Sequence, residues 1–144
     1  MNSIQNLIQF LHKHHIFILS TSYNNTPHST PLFYAFDADN MRLIFTSEAH
    51  TRHMQEISQN NSVSAGIYLE TEKMGLIQGV QVWGKAETNR DSELQKCYFQ
   101  RFPMSRAFLL TQAKHEFCAL KMEKARLIDN KLGFGKKLEW SFDV

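Results

Sequence analysis

Three hydroxyl residues and an arginine stand close together in Thr46-Ser47-Glu48-Ala49-His50-Thr51-Arg52-His53, where an apolar run gives way to helical spacing. The first N–H groups of a helix lack partners and carry partial positive charge, so a dianion is stabilised there before any side chain reaches it. Thr46, Ser47 and Thr51 would add hydroxyl donors, and Arg52 a two-pronged, charge-assisted contact. The same residue types also make ordinary helix caps, with Ser47 or Thr51 closing the first turn and Arg52 left in water. On these residues alone both readings stand, and the chemistry at issue is phosphate binding.

Other chemistries are poorly provided for. His12, His14 and His15 gather where a helix ends, which suits the helix dipole, while His28, His50, His53 and His115 stand apart. No carboxylate–histidine set has recognisable ligand spacing, so no metal is expected. Cys97 and Cys118 are far apart in sequence and read as packing residues in a reducing cytoplasm. The sixteen Lys and Arg are scattered and the formal net charge is only +2, which argues against nucleic acid as the main partner. The start lacks a basic stretch followed by an apolar run, and no apolar segment approaches spanning length, so neither a secretory signal nor a membrane is expected. A chain of 144 residues reads as one domain, 1–144, able to bury a core without staples.

Something must hold the hydroxyl cluster in place, and the flanking patterns say what. Ser3 can cap a helix whose Ile4, Leu7, Ile8 and Leu11 share one face, ending near His14. Ile16 to Ser22 reads as a strand, Asn24-Asn25-Thr26-Pro27 as a tight reversal, and His28 to Phe36 as the returning strand. Pro31 has no N–H for a ladder and places that strand at an edge or a break. A turn at Asp37–Asn40 leads to a third strand, Met41 to Thr46, and then to a short helix from Thr51 to Gln59. Val63, Ala65, Ile67 and Leu69 alternate as a fourth strand, and Gly75 to Ala86 is a long fifth. Helices from Asp91 or Ser92 to Arg101 and around Met104 to Thr111 precede a strand from Glu116 to Leu127 and a glycine-marked last segment, Leu132 to Trp140. Five or six strands with few short helices imply a mainly β fold, an antiparallel barrel or sandwich.

In this order the chain resembles the FMN-binding split barrels related to pyridoxamine 5'-phosphate oxidase, from roughly Phe17 to Trp140. The resemblance is carried by Pro31-Leu32-Phe33-Tyr34, by a strand ending in Thr46, by the hydroxyl-basic helix start Thr51-Arg52, and by Asn60-Asn61-Ser62-Val63-Ser64-Ala65. A closer likeness is to a small bacterial family of split-barrel proteins. Its strings appear here as Thr51-Arg52-His53, Gly79-Val80-Gln81, Arg101-Phe102-Pro103 and Asp129 to Lys137, followed by Trp140. The likeness implies a Greek-key split barrel of about six strands with short flanking helices, and a homodimer with two flavin sites across the interface. It favours the phosphate reading of Thr46, Ser47, Thr51 and Arg52, and implies a flavin ring against Leu32, Phe33 and Tyr34. Gln81 and Trp83, or Lys136 and Trp140, would complete the pocket from the partner chain. The ending Asp143-Val144 lacks the Arg-Leu-x-Pro of the true oxidases, so oxidation of pyridoxamine phosphate is not expected. The expected function is an FMN-dependent oxidoreductase acting on a small molecule, with no catalytic residue identified. A non-catalytic flavin-binding or sensing protein is the alternative, and a haem-binding split barrel, using a histidine such as His53 or His115, is a more distant one.

Overall fold

A computed structural model describes residues 3–111 and 114–142. The chain's first two residues and its ending, Asp143-Val144, lie outside them. Helix α1 (Ser3–Lys13) precedes strands β1 (Ile16–Tyr23), β2 (Thr26–Phe33), β3 (Ala35–Asp37) and β4 (Arg42–Glu48). Then come α2 (Arg52–Gln59), β5 (Ser62–Tyr68), β6 (Gln78–Thr88), α3 (Ser92–Arg101), α4 (Ser105–Leu110), β7 (His115–Asp129) and β8 (Lys137–Ser141), with 3-10 turns at Met74–Leu76 and Asn130–Leu132. None of the described helices is long and apolar enough to cross a membrane.

All strands pair antiparallel in one sheet, in the order β2-β1-β5-β6-β7-β4-β3, with β8 added along the second half of β7. β2 and β3 lie at opposite ends of that path, yet only Tyr34 separates them in the chain. One residue reaches about 3.5 Å. The two ends of the sheet must therefore meet, and the sheet curls into a barrel with Tyr34 at its seam. The Tyr34 ring is buried, and its hydroxyl donates to the Leu11 carbonyl oxygen at 2.7 Å, tying the seam to α1.

The expected architecture is thus present, with more strands than the six anticipated. The returning strand read as 28–36 is broken at Tyr34 into β2 and β3, and the last segment holds a strand of its own, β8. The reversal before β2 is a two-residue hairpin in which Asn24 and Asn25 take φ of 51° and 60°. Left-handed residues match the twist of flanking strands, and asparagine tolerates them better than most side chains. β2 is an edge strand, as Pro31 required.

Alternation sorts the strand residues. Phe17, Leu19, Leu43, Phe45, Val80, Val82, Leu120 and Leu127 point inward and pack with Leu7, Phe10 and Leu11 of α1. The opposite face of β4 is also covered: Ile44, with Ala35 and Ala119, packs under Leu94 and Tyr98 of α3. β4 is therefore enclosed on both sides where it runs toward the hydroxyl cluster.

Candidate functional site

β4 delivers Thr46 and Ser47 to opposite faces, because successive strand residues must alternate. Ser47 continues the inward line of Leu43 and Phe45 and is 6% exposed. Thr46 continues the outward line of Ile44, its hydroxyl 3.2 Å from His115 Nδ1. The expectation that both hydroxyls converge on one phosphate is corrected by this geometry: Ser47 faces the α2 corner and Thr46 faces away.

At the corner, Ser47, Thr51 and His53 close a small polar triangle. Ser47 Oγ lies 2.7 Å from His53 Nε2, Thr51 Oγ1 lies 3.3 Å from the same nitrogen, and the two hydroxyls are 3.4 Å apart. Thr51 donates its proton to the Glu48 carbonyl oxygen at 2.9 Å. Its side chain consequently makes no capping bond to α2, and no acidic residue occupies the first helical turn. Arg52 is more than half exposed, its Nε 3.7 Å from a buried carboxylate oxygen of Glu56. An uncapped helix start beside a free guanidinium edge has the donor set of an anion seat.

Three ties hold α2 at this angle. His53 meets Ser47 of β4, Thr21 of β1 donates to Glu56 Oε1 at 2.9 Å, and the Asn60 amide donates to the Ser22 carbonyl at 3.1 Å. Burial pushes the His53 imidazole below its ordinary value, His28 of β2 pushes the same way, and Glu56 pulls it back up. Glu56 and Thr21 are not among the site residues the sequence suggests, and His53 is among them only as a distant haem candidate. Helical spacing could have found two of them, since His53, Met54, Glu56 and Ile57 share the buried arc of α2. Cys118 offers no competing nucleophile, because burial, with Glu116 adding to it, pushes its thiol up to about 12.

The remaining expected residues scatter. Leu32 turns inward against the core, while Phe33 points outward between His15 and Phe102, with ring centroids at 6.2 and 5.4 Å. Tyr34 is closed inside the core, so the three do not form one side-chain wall, and only Phe33 offers an exposed side chain to a ligand. Gln81 and Trp83 lie on the outer face of β6, where Lys124 and Arg126 stand over the Trp83 ring and Arg126 reaches Gln81. Lys136 is exposed in the turn before β8, and Trp140 turns inward from β8 onto the main core. Within the chain these residues do not surround the α2 corner. Beside the corner runs a groove of about 700 Å³, lined by His50, Thr88, Arg90, Lys114, His115 and Phe117 among others. That volume is in the range of small-molecule sites.

Comparison with known proteins gives the geometry its context. A family model described as pyridoxamine 5'-phosphate oxidase matches residues 4–128. A UPF0306 protein of Photorhabdus laumondii is 30% identical over 146 residues, covering 97% of this chain and 99% of the relative. Among solved structures, an FAD-binding protein from Mesorhizobium loti superposes with a TM-score of 0.71 at 18% identity, covering 86% of this chain and 90% of that one. A haem-binding protein from Mycobacterium smegmatis gives 0.73 at 13% identity, covering 88% of this chain, which spans about half (52%) of that protein. At such identities the structural likeness shows the fold alone.

Proposed function

Because the chain belongs to the pyridoxamine 5'-phosphate oxidase family, we propose that it is an FMN-binding flavoprotein acting as an oxidoreductase on a small molecule. The observation that carries this reading is the start of α2: no side-chain cap, no first-turn carboxylate, and Arg52 exposed beside it. Arg52 and the first-turn N–H groups would hold the phosphate, with Thr51 at the rim. Phe33 would meet the ring with its exposed side chain, and Leu32, turned into the core, with its backbone. A bound flavin would supply hydride or electron transfer; the chain's own work is to seat the anion, orient the ring and exclude water from one side.

The reading includes a homodimer. Across the outer face of the sheet, register aligns Pro31, Ile18, Gly66, Gln81 and Arg126. Around that row Ile16, Phe33, Tyr68 and Ile77 are each more than two-fifths exposed, and a shallow apolar hollow of about 250 Å³ lies over Gly66 and Gly79. An apolar face of this kind supports the reading of a surface covered by a partner. Pro27 and Pro31 block the free edge of β2, which favours face-to-face over edge-to-edge association. A second copy seated there would bring its own Gln81, Trp83 or Lys136 toward the first copy's ligand.

The haem-binding relative in fold suggests a second reading, but it has less support here. The Nε2 of His53 is held by Ser47, and the Nδ1 of His115 by Thr46. Purified protein mixed with FMN should retain a flavin spectrum after gel filtration, and reduced nicotinamide should then bleach it. Retention without bleaching would leave a flavin carrier rather than an oxidoreductase, and a Soret band with haem but no flavin uptake would overturn the reading.

A further inference from the structure

We propose that His53 is a proton-linked anion-binding residue: arrival of a phosphoryl group at the α2 corner draws a proton onto its imidazole and reverses the Ser47 hydrogen bond. The inference rests on the flavin-phosphate reading and adds to it a residue and a pH dependence.

The argument is one of donors and acceptors. Thr51 has a single hydroxyl proton, and it goes to the Glu48 carbonyl. Toward His53 and Ser47, Thr51 can only accept. With Nε2 of His53 unprotonated, Ser47 must donate to it across 2.7 Å, and the triangle is satisfied without any ligand. With Nε2 carrying a proton, the imidazole donates to Ser47 Oγ, with Thr51 Oγ1 as a second acceptor at 3.3 Å. The Ser47 proton is then released to seek another oxygen. From the neutral tautomer that carries its proton on Nδ1, protonating Nε2 converts a closed cluster into a cation with a free hydroxyl donor, at the positive end of a helix.

The surroundings decide when this happens. Ser47 on β4 and Thr51 meet His53 directly, the charges of Glu56 on α2 and His28 on β2 act on it, and Thr21 on β1 and Arg52 on α2 touch Glu56 rather than the imidazole. The buried Glu56 is engaged by Thr21 and Arg52, so it does not form an ion pair with the imidazole. His28 bonds Thr30 Oγ1 through Nε2 at 3.0 Å and adds no negative charge. Without a ligand, burial and His28 outweigh the upward pull of Glu56 and favour the neutral imidazole; a dianion adds to that pull and raises its proton affinity.

The test is calorimetric titration of the full-length protein with FMN in buffers of different ionisation enthalpy, at about pH 7.5, well above the phosphate ester's second pKa of about 6. Uptake approaching about one proton per FMN is expected, with affinity falling by up to about tenfold per pH unit as pH rises. Riboflavin, which lacks the phosphate, should bind with no uptake. His53→Gln, whose amide can still bond Ser47, should bind FMN without uptake, whereas His28→Gln should retain it. FMN binding with no proton uptake by the unsubstituted protein, or uptake that survives His53→Gln, overturns the proton linkage alone. Absence of any FMN binding overturns both the linkage and the flavin reading beneath it.

Discussion

Arg52 and Lys137 are both exposed cations, yet only Arg52 stands at a helix start. Arg52→Ala should weaken FMN binding by about tenfold or more, the equivalent of about 1.4 kcal/mol for a lost charge-assisted contact. Lys137→Ala should leave it within about threefold, since a solvated charge contributes little; fluorescence titration of the two variants checks the contrast. His53 carries a second consequence. Its folded value lies below the unfolded histidine value of about 6.5, so its contribution to stability is present above that pH and is lost as pH falls through the window beneath it. Urea midpoints without ligand should therefore drop between about pH 7 and about pH 5, and less steeply in His53→Gln; His14, pushed down by burial, then Lys13 and His15, keeps part of the slope. At this scale the sequence shows Thr51 and Arg52 as neighbours at a helix start, which is local information. It does not show that Thr46 and Ser47 part company, although strand alternation implies it once the strand is taken to run through Glu48.

At the scale of the elements, the long antiparallel pairing of β6 with β7 turns on one glycine. The ladder shifts register at Trp83/Gly84, and a Cβ on Gly84 would run into the Lys121 carbonyl. Gly84→Ala should destabilise by about 1–3 kcal/mol through forced backbone movement, read from chemical denaturation. The tie between β1 and α2 is a second test. Thr21→Val removes the hydroxyl that donates to the buried Glu56 carboxylate and should reduce stability by about 1–3 kcal/mol, the penalty of a buried acceptor left unpaired. The bulge was half visible, since Gly84 inside an alternating strand signals a bulge or a close approach without saying which backbone comes near. The break at Tyr34 was not visible: Phe33-Tyr34-Ala35 continues a plausible strand, and only the pairing of β2 and β3 with opposite ends of the sheet makes Tyr34 a seam.

For the whole molecule, the barrel could be inferred from short antiparallel strands with local turn residues such as Asn24-Asn25, whereas the strand order depends on long-range pairing that no local pattern encodes. The site was legible where one helix start carries it, and illegible for Gln81, Trp83, Lys136 and Trp140, which the fold places away from that corner, with Trp140 turned onto the core. If the outer face is the dimer interface, a charge in its middle should separate the copies. Ile18→Asp or Tyr68→Asp should give a monomer by sedimentation, with FMN affinity falling alongside, because a desolvated carboxylate opposes burial of the apolar row. A dimer that survives both substitutions would place the interface elsewhere. The central claim, that the α2 corner grips a flavin by its phosphate, is tested most directly by equilibrium titration of the unsubstituted protein and Arg52→Ala with FMN and with riboflavin. The account predicts that the unsubstituted protein prefers FMN by about tenfold or more and that Arg52→Ala removes most of that preference; equal affinity for the two flavins, or a preference untouched by the substitution, would contradict it.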